Sequence, residues 1–404
     1  MLIRRLKISG LLSFGPDGVD LPMEPLNVLI GPNGSGKSNF LEAIALLKAV
    51  PREVLEPISR TGGLREWLWN GPDAPNSITM EAEVHCPRGG DLRHSLTLAE
   101  ANGRPEVISE QIEPIGKFAG RRAALSSYRR PQDERTESYL PQDSPDSANP
   151  NSADGMLAQF REDGIHFRSD CLPEVSLVSL ANPRDYPALW YLNIQYEAIR
   201  LYRDWSFGPG TELRRPASAH DRADFLTKDG ANLASVLSNL PGENRRRLVA
   251  SLQKLYDGIV DIKCSVVGGN VTLFLEEKGN REIPAARLSD GTFRYLCLLA
   301  ILLHPQPPPL VVLDQPELGL HPDLLPTLAD LLLAASERCQ LIVTTHSDAL
   351  VDALTDTPES VVVCEKHDGQ TEMRRLDKDE LVKRLKGGTL GDLWSSGILG
   401  GNRW

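Results

Sequence analysis

Eight residues near the N-terminus, Gly31-Pro-Asn-Gly-Ser-Gly-Lys-Ser38, limit what this chain can fold into more than any other feature. They fit the pattern G-x-x-x-x-G-K-[ST]. They follow the compact apolar run Leu26–Ile30, which has the profile of a buried parallel strand. They open residues 38–50, where Phe40, Ile44 and Leu47 recur at helical spacing until Pro51 stops the helix. A strand, a glycine loop and a helix in that order make a phosphate cradle. The glycines let main-chain N–H groups turn inward with no Cβ in the way, and the helix N-terminus adds the positive end of a dipole. Lys37 brings a mobile charge for the β- and γ-phosphates, and Ser38 a hydroxyl for Mg²⁺. Asn33, Gly34, Ser35, Gly36, Lys37, Ser38 and Asn39 are the candidate ATP-binding residues.

Three further motifs follow in order. Leu288-Ser-Asp-Gly-Thr292 precedes a helix, where Ser289, Asp290 and Gly291 can present donors at its N-terminus or act as a plain cap. Leu310-Val-Val-Leu-Asp314 is an apolar strand ending in a carboxylate, suited to hold Mg²⁺ at the carboxyl edge of a parallel sheet. Leu341-Ile-Val-Thr-Thr-His346-Ser347 is another apolar strand, and it ends in a histidine that can reach a γ-phosphate or an attacking water. Each motif is weak alone; the order of the four is what carries information.

With these residues in view, the chain resembles the RecF/SMC-related branch of ABC ATPases, in particular the predicted AAA-type ATPases kin to overcoming-lysogenization-defect proteins. The likeness rests on Gly31-Pro-Asn-Gly-Ser-Gly-Lys-Ser-Asn39, Leu288-Ser-Asp-Gly-Thr292, Asp314-Gln-Pro-Glu-Leu-Gly-Leu-His-Pro322, Thr344-Thr-His-Ser347 and the ending Gly400-Gly-Asn-Arg-Trp404. It covers residues 1–50 and 285–404 well and the middle only weakly. The resemblance implies two heads closing face to face on two ATPs. Lys37 and Ser38 of one head would hold each triphosphate, and Ser289 and Gly291 of the other would cap it. It implies a homodimer or a higher even-numbered oligomer, with ATP and Mg²⁺ as cofactors.

The chain departs from that pattern in three places. Asp290 stands where the commoner motif has glycine. The glutamine of the Q-loop is not fixed; Gln195 and Gln159 both qualify. Gln315 follows Asp314 where a catalytic glutamate is normal. Glutamine is isosteric but cannot accept a proton. Two readings stay open, a naturally slow hydrolase and a trapping substitution, and the intact Pro316-Glu-Leu-Gly-Leu-His-Pro322 favours trapping. Glu317 and His346 are the alternative catalytic candidates.

The expected fold is α/β: a P-loop NTPase of the ABC head type. A mainly parallel central sheet would carry the motifs, beside an N-terminal antiparallel part and a helical or inserted lobe. The N-terminal part of the head spans residues 1–100, with strands at 2–8, 19–21, 78–85 and 92–98. An insertion spans 101–230 and includes a polar, Pro- and Ser-rich loop at 117–155 whose Arg121-Arg122 and Arg129-Arg130 could touch phosphates. The C-terminal part spans 231–404, with one helix at 231–257, a hairpin at 261–267 and 271–277, strands at 310–313, 341–345 and 360–364, and a helix at about 323–336.

A net charge of −11 argues against a chain coated for wrapping nucleic acid, yet leaves room for a local basic groove at Arg214-Arg215 and Arg245-Arg-Arg247. The six cysteines form no C-x-x-C pair, so reduced thiols are expected. No leader-like apolar segment opens the chain, and its longest apolar run, residues 295–303, is too short to span a bilayer. A cytoplasmic protein without membrane contact is expected. The 58 residues after His346 are too few for a Toprim nuclease, so effector chemistry would come from a separate partner. The functions that remain are an antiphage defence ATPase working with a nuclease or toxin, a RecF-like DNA repair clamp, and a non-catalytic scaffold or sensor.

Overall fold

The computed structural model describes residues 1–87, 90–115, 128–130, 158–161, 164–167, 173–181, 186–208, 210–220, 223–378, 381 and 388–401. The chain forms two compact units. The first is built from Met1–Met23, Asn33–Ile199 and Cys364–Arg374, the second from Glu24–Pro32, Arg200–Val363 and Arg375–Trp404. The three-part division expected from sequence does not follow these units. Its break at 100/101 falls in a hairpin, because Leu92–Ala101 pairs antiparallel with Arg104–Pro114.

In the first unit Val19–Pro22, Ile3–Ser9, Ser77–Val84, Leu92–Ala101 and Arg104–Pro114 make an antiparallel sheet in that order. Strict alternation explains it: every second residue of Leu92–Ala101 is buried through Leu98. The sheet continues through Tyr128–Arg130, so the expected 117–155 loop contains a short strand; the rest of that loop lies outside the described residues. The helix Lys37–Ala49 buries Phe40, Leu41, Ala43, Ile44, Leu46 and Leu47, which is more than the single stripe expected.

In the second unit five strands run parallel in the order Arg200–Tyr202, Leu310–Asp314, Gln340–Thr344, Leu26–Ile30 and Val361–His367. Leu26–Ile30 and Gln340–Thr344 are buried at every position, the mark of strands covered on both faces. Helix Asp290–Leu302 buries every residue from Tyr295 to Leu302. Each of its leucines and its isoleucine contributes about 1.5–3 kcal/mol by leaving water, so this apolar run is core. Among the described residues no helix is long and apolar enough to cross a membrane.

A second, antiparallel sheet pairs Asn270–Glu277 with Ile259–Val267, Ala217–Ser218 and Arg281–Pro284. The expected hairpin is present, with Gly268 and Gly269 both left-handed at its tip (φ 58° and 79°). The single helix expected at 231–257 is two, Leu233–Ser238 and Gly242–Leu255. Pro241 causes the break: it lacks an N–H to continue the first helix and serves as the N-cap of the second.

Candidate active site

The phosphate cradle begins in the second unit, where Leu26–Ile30 ends at Gly31, and continues into the first, which holds residues 33–39. Gly31, Gly34 and Gly36 all have positive φ (146°, 80° and 99°). At Gly36 a side chain is excluded twice, because a Cβ would also lie 2.1 Å from Thr371 Oγ1. Gly36 caps the helix Lys37–Ala49 without a side-chain hydrogen bond, and no acidic residue occupies its first turn. The dipole end is thus left for an anion. Lys37 is buried, with Nζ 3.4 Å from Ser35 Oγ; Asn33, Gly34 and Ser38 are exposed. Burial pushes the thiol of Cys364 up to about 12, against the pull of the Lys37 charge.

A polar buttress holds the loop from behind. Thr371 Oγ1 donates to Ser35 O at 3.0 Å and lies 2.6 Å from Ser13 Oγ, which also accepts from Asn39 Nδ2 at 2.6 Å. Asn39, expected to touch the nucleotide, spends its amide on this buttress. The C-terminal turn supports Gly31 in the second unit: Gly401 Cα packs where a Cβ would come 3.4 Å from Gly31 Cα, and its carbonyl accepts from Trp394 Nε1 at 2.8 Å. Asn402, Arg403 and Trp404 lie outside the described residues.

At the carboxyl edge of the parallel sheet, Asp314 stands opposite Thr344 in register, and Thr344 Oγ1 donates to Asp314 Oδ1. Thr345 N–H donates to Leu29 O at 3.1 Å, which sets the histidine turn beside the strand that opens the cradle. Gln315 has a left-handed backbone (φ 47°). Its N–H is shared between Thr344 O at 3.1 Å and Thr344 Oγ1 at 3.0 Å, and its carbonyl accepts from Arg294 Nη1 at 3.0 Å. Glu317 Oε1 accepts from Thr345 Oγ1 at 2.7 Å and from the His346 N–H at 3.0 Å. The second unit therefore brings Asp314, Gln315, Glu317 and His346 together.

The loop before helix Asp290–Leu302 lies against the turn after Gln315, since a Cβ at Gly291 would meet Gly319 O at 2.6 Å. Ser289 is an exposed N-cap whose Oγ accepts from Thr292 N at 3.2 Å; Asp290 is exposed too. Arg214, a candidate for a nucleic-acid groove, is engaged within the chain. Its side chain is 12% exposed. It donates to Leu288 O at 2.7 Å, Phe207 O at 2.8 Å and the Asp290 carboxylate, and covers the Phe293 ring at 4.8 Å. Arg245 is likewise engaged, with Asp261 at 2.9 Å and with the Ile262 carbonyl. Arg215 pairs with Glu212 at 2.6 Å, while Arg246 and Arg247 are exposed. Gln195 is half-buried on helix Pro187–Glu197; the Gln159 side chain lies outside the described residues.

Sequence reasoning missed Arg294. It is the one charge within the apolar stretch of helix Asp290–Leu302 after Asp290, and a charge in such a place needs partners. Besides Gln315 O it meets the rings of Phe207 at 5.0 Å and Trp205 at 5.7 Å. Burial pulls its pKa below the usual arginine value, while the nearby Glu317 charge opposes that.

Among the described residues no cluster of three or more His, Cys, Asp or Glu could cage a metal by itself. Ser38 in the first unit and Asp314 in the second are each hard oxygen donors, the kind of group that suits Mg²⁺ with substrate phosphates. The described cysteines Cys86, Cys264, Cys297, Cys339 and Cys364 are free thiols.

Solved structures share this fold. An Smc head bound to the C-winged helix domain of ScpA superposes with a TM-score of 0.58 at 14% identity, covering 94% of this chain and 99% of that one. An Smc head with an extended coiled coil, bound to the C-terminal domain of ScpA and derived from Pyrococcus furiosus, gives 0.54 at 13% identity over 95% and 98%. No curated protein sequence matches the chain. The head fold seen in the structure also agrees with a family model that matches residues 26–170 and 172–352, most of the chain and all four motifs. The chain accordingly belongs to the P-loop ATPase family described as "AAA domain, putative AbiEii toxin, Type IV TA system".

Proposed function

We propose that this chain binds Mg-ATP, hydrolyses it slowly, and uses the bound nucleotide to close two copies head to head in a cytoplasmic defence complex with a separate effector. The observation that carries the reading is the uncapped, acid-free N-terminus of helix Lys37–Ala49, opened by Gly36, which has no room for a side chain. Lys37 would neutralise the β- and γ-phosphates, while Ser38 and Asp314 would hold Mg²⁺. The ion would draw charge from the phosphate oxygens. Ser289 and Gly291 of the second copy would complete the γ-phosphate contacts.

The family description names a toxin–antitoxin setting, which fits defence better than repair. The matched Smc heads are bound to a domain of another protein, which fits a separate partner. A DNA clamp gains less support, because Arg214 and Arg245 are engaged within the chain. A scaffold that uses ATP only for assembly is the second reading, and Gln315 is what favours it.

Position 315 tests the proposal. Single-turnover hydrolysis at saturating Mg-ATP should rise by about 10²-fold or more in Gln315→Glu, the usual worth of a positioned acid–base group. Equal rates in the two proteins would remove position 315 from the reaction.

A further inference from the structure

We propose that Glu317 is the carboxylate that takes the proton of the attacking water in this chain. The inference rests on the ATP-hydrolysing reading above and names the residue that performs its proton transfer. Gln315 can hold a water through its amide but cannot accept a proton. Two residues further on, Glu317 offers a carboxylate whose two oxygens are used unequally. Oε1 is fixed by Thr345 Oγ1 at 2.7 Å and by the His346 N–H at 3.0 Å. Oε2 is shut off from solvent and has no hydrogen-bond partner among the described residues.

A buried carboxylate oxygen without a donor is rare in native proteins and calls for a reason. Structural carboxylates normally satisfy both oxygens, as Glu110 does here with Ser176, His94 and the Leu177 N–H. At Glu317 one oxygen anchors the side chain to the histidine turn and the other is left as an acceptor. Glu317 stands three residues beyond Asp314, on the turn that leaves the carboxyl end of that strand, and a general base needs an unspent acceptor of this kind.

In the proposed step a water oxygen attacks the γ-phosphorus while one of its O–H bonds breaks and the proton passes to Glu317 Oε2. The bond from the γ-phosphorus to the bridging oxygen breaks, and ADP leaves with that electron pair. Inorganic phosphate is the other product, and the proton returns from Glu317 to solvent. Gln315 orients the water throughout. Water is the only co-reactant, and nothing is oxidised or reduced.

The test uses the full chain and two readouts, equilibrium binding of trinitrophenyl-ATP and single-turnover hydrolysis of γ-labelled ATP across pH. Glu317→Gln keeps an acceptor oxygen for Thr345 and His346, so binding should stay within about twofold of the parent while hydrolysis falls about 10²-fold or more. Gln315→Glu introduced into Glu317→Gln should restore turnover by supplying a second carboxylate. Parent-like hydrolysis in Glu317→Gln would overturn the proposal and leave Glu317 only as the anchor of the histidine turn. Turnover by Gln315→Glu with none by the parent would overturn it too, yet leave standing the reading that the chain binds ATP and uses it for assembly. Absence of trinitrophenyl-ATP binding in the parent would overturn both.

Discussion

A carboxylate with no solvent exposure survives in a folded protein only when its charge is answered on every side. Glu110 meets that demand. Oε1 accepts from Ser176 Oγ at 2.6 Å and from His94 Nε2 at 3.0 Å, and Oε2 accepts from the Leu177 N–H at 2.7 Å. His94 Nδ1 lies 3.1 Å from the Tyr196 hydroxyl, so two strands, the turn at Ser176 and helix Pro187–Glu197 share one buried network. Burial alone would push the Glu110 carboxyl up. The hydrogen bond and charge of His94, then Ser176 and Leu177, outweigh it and hold the carboxyl below its ordinary value. A carboxylate depressed in the folded state contributes stability above its unfolded pKa of about 4.3, and that contribution is lost as pH falls through the folded pKa. Glu110→Gln should therefore cost about 3–5 kcal/mol at neutral pH and flatten the acid dependence of stability. Urea unfolding from pH 7 to 3 measures both; parallel pH curves for the two proteins would contradict the assignment. None of this was legible in the sequence. Glu110 looks like any polar residue on a strand, and its partners lie up to 67 positions away in the chain. The cradle was legible because Gly36, Lys37 and Ser38 are chemical requirements at fixed spacing. The partners of Asn39 and Arg214, Ser13 and Asp290, could not be read from sequence because they are brought near only by the fold.

Helix Asp290–Leu302 shows how one element governs another. Its Gly291 packs on Gly319 O, and its Arg294 fastens Gln315 O, so both ends of the turn after Asp314 rest on this helix. Gln315 needs the fastening, since a left-handed backbone at a residue with a Cβ costs about 1–2 kcal/mol. A hydrogen bond from a charged donor contributes about 1.5–3 kcal/mol, enough to hold it. In the Gln315→Glu background, Arg294→Met should lower kcat about 10–100-fold, taking that energy as lost orientation at about 1.4 kcal/mol per decade, with ATP affinity nearly unchanged. Arg294→Lys should fall between, because lysine keeps the charge but not the flat stacking on Phe207 and Trp205. An unchanged kcat in Arg294→Met would show that Thr344 alone sets the conformation. Four of the five parallel strands could be read from sequence because burial on both faces leaves unbroken apolar runs; the three-residue Arg200–Tyr202 leaves none. Arg281–Pro284 could not: it is four residues, half of them exposed, and its only lesson is its partner Asn270–Glu277.

For the whole molecule the decisive question is what ATP does to two copies of it. Each copy carries a net charge of −11, so at low salt the free chains repel one another. On the proposed reading bound nucleotide supplies the attraction. Ser289 and Asp290 are solvent-exposed at the N-terminus of a 13-residue helix, with Ser289 Oγ spent on Thr292 N. What the loop can still offer a second copy is main-chain donors and the positive end of the helix. Those are the groups a γ-phosphate held by the other copy's cradle would meet. On the proposed reading, slow hydrolysis at Gln315 would let the nucleotide persist, and its binding to the closed form would stabilise that form by mass action. Sedimentation velocity with Mg-ATP should show self-association that tightens as salt screens the repulsion between about 50 and 200 mM. Ser289→Arg places bulk at the exposed loop. It removes a cap worth about 1 kcal/mol, against a typical stability of about 5–15 kcal/mol, so the variant should stay folded and still bind ATP. Its self-association should weaken at least tenfold. If the variant binds ATP, keeps its circular dichroism spectrum and still dimerises like the parent, the copies do not share their nucleotide through this loop.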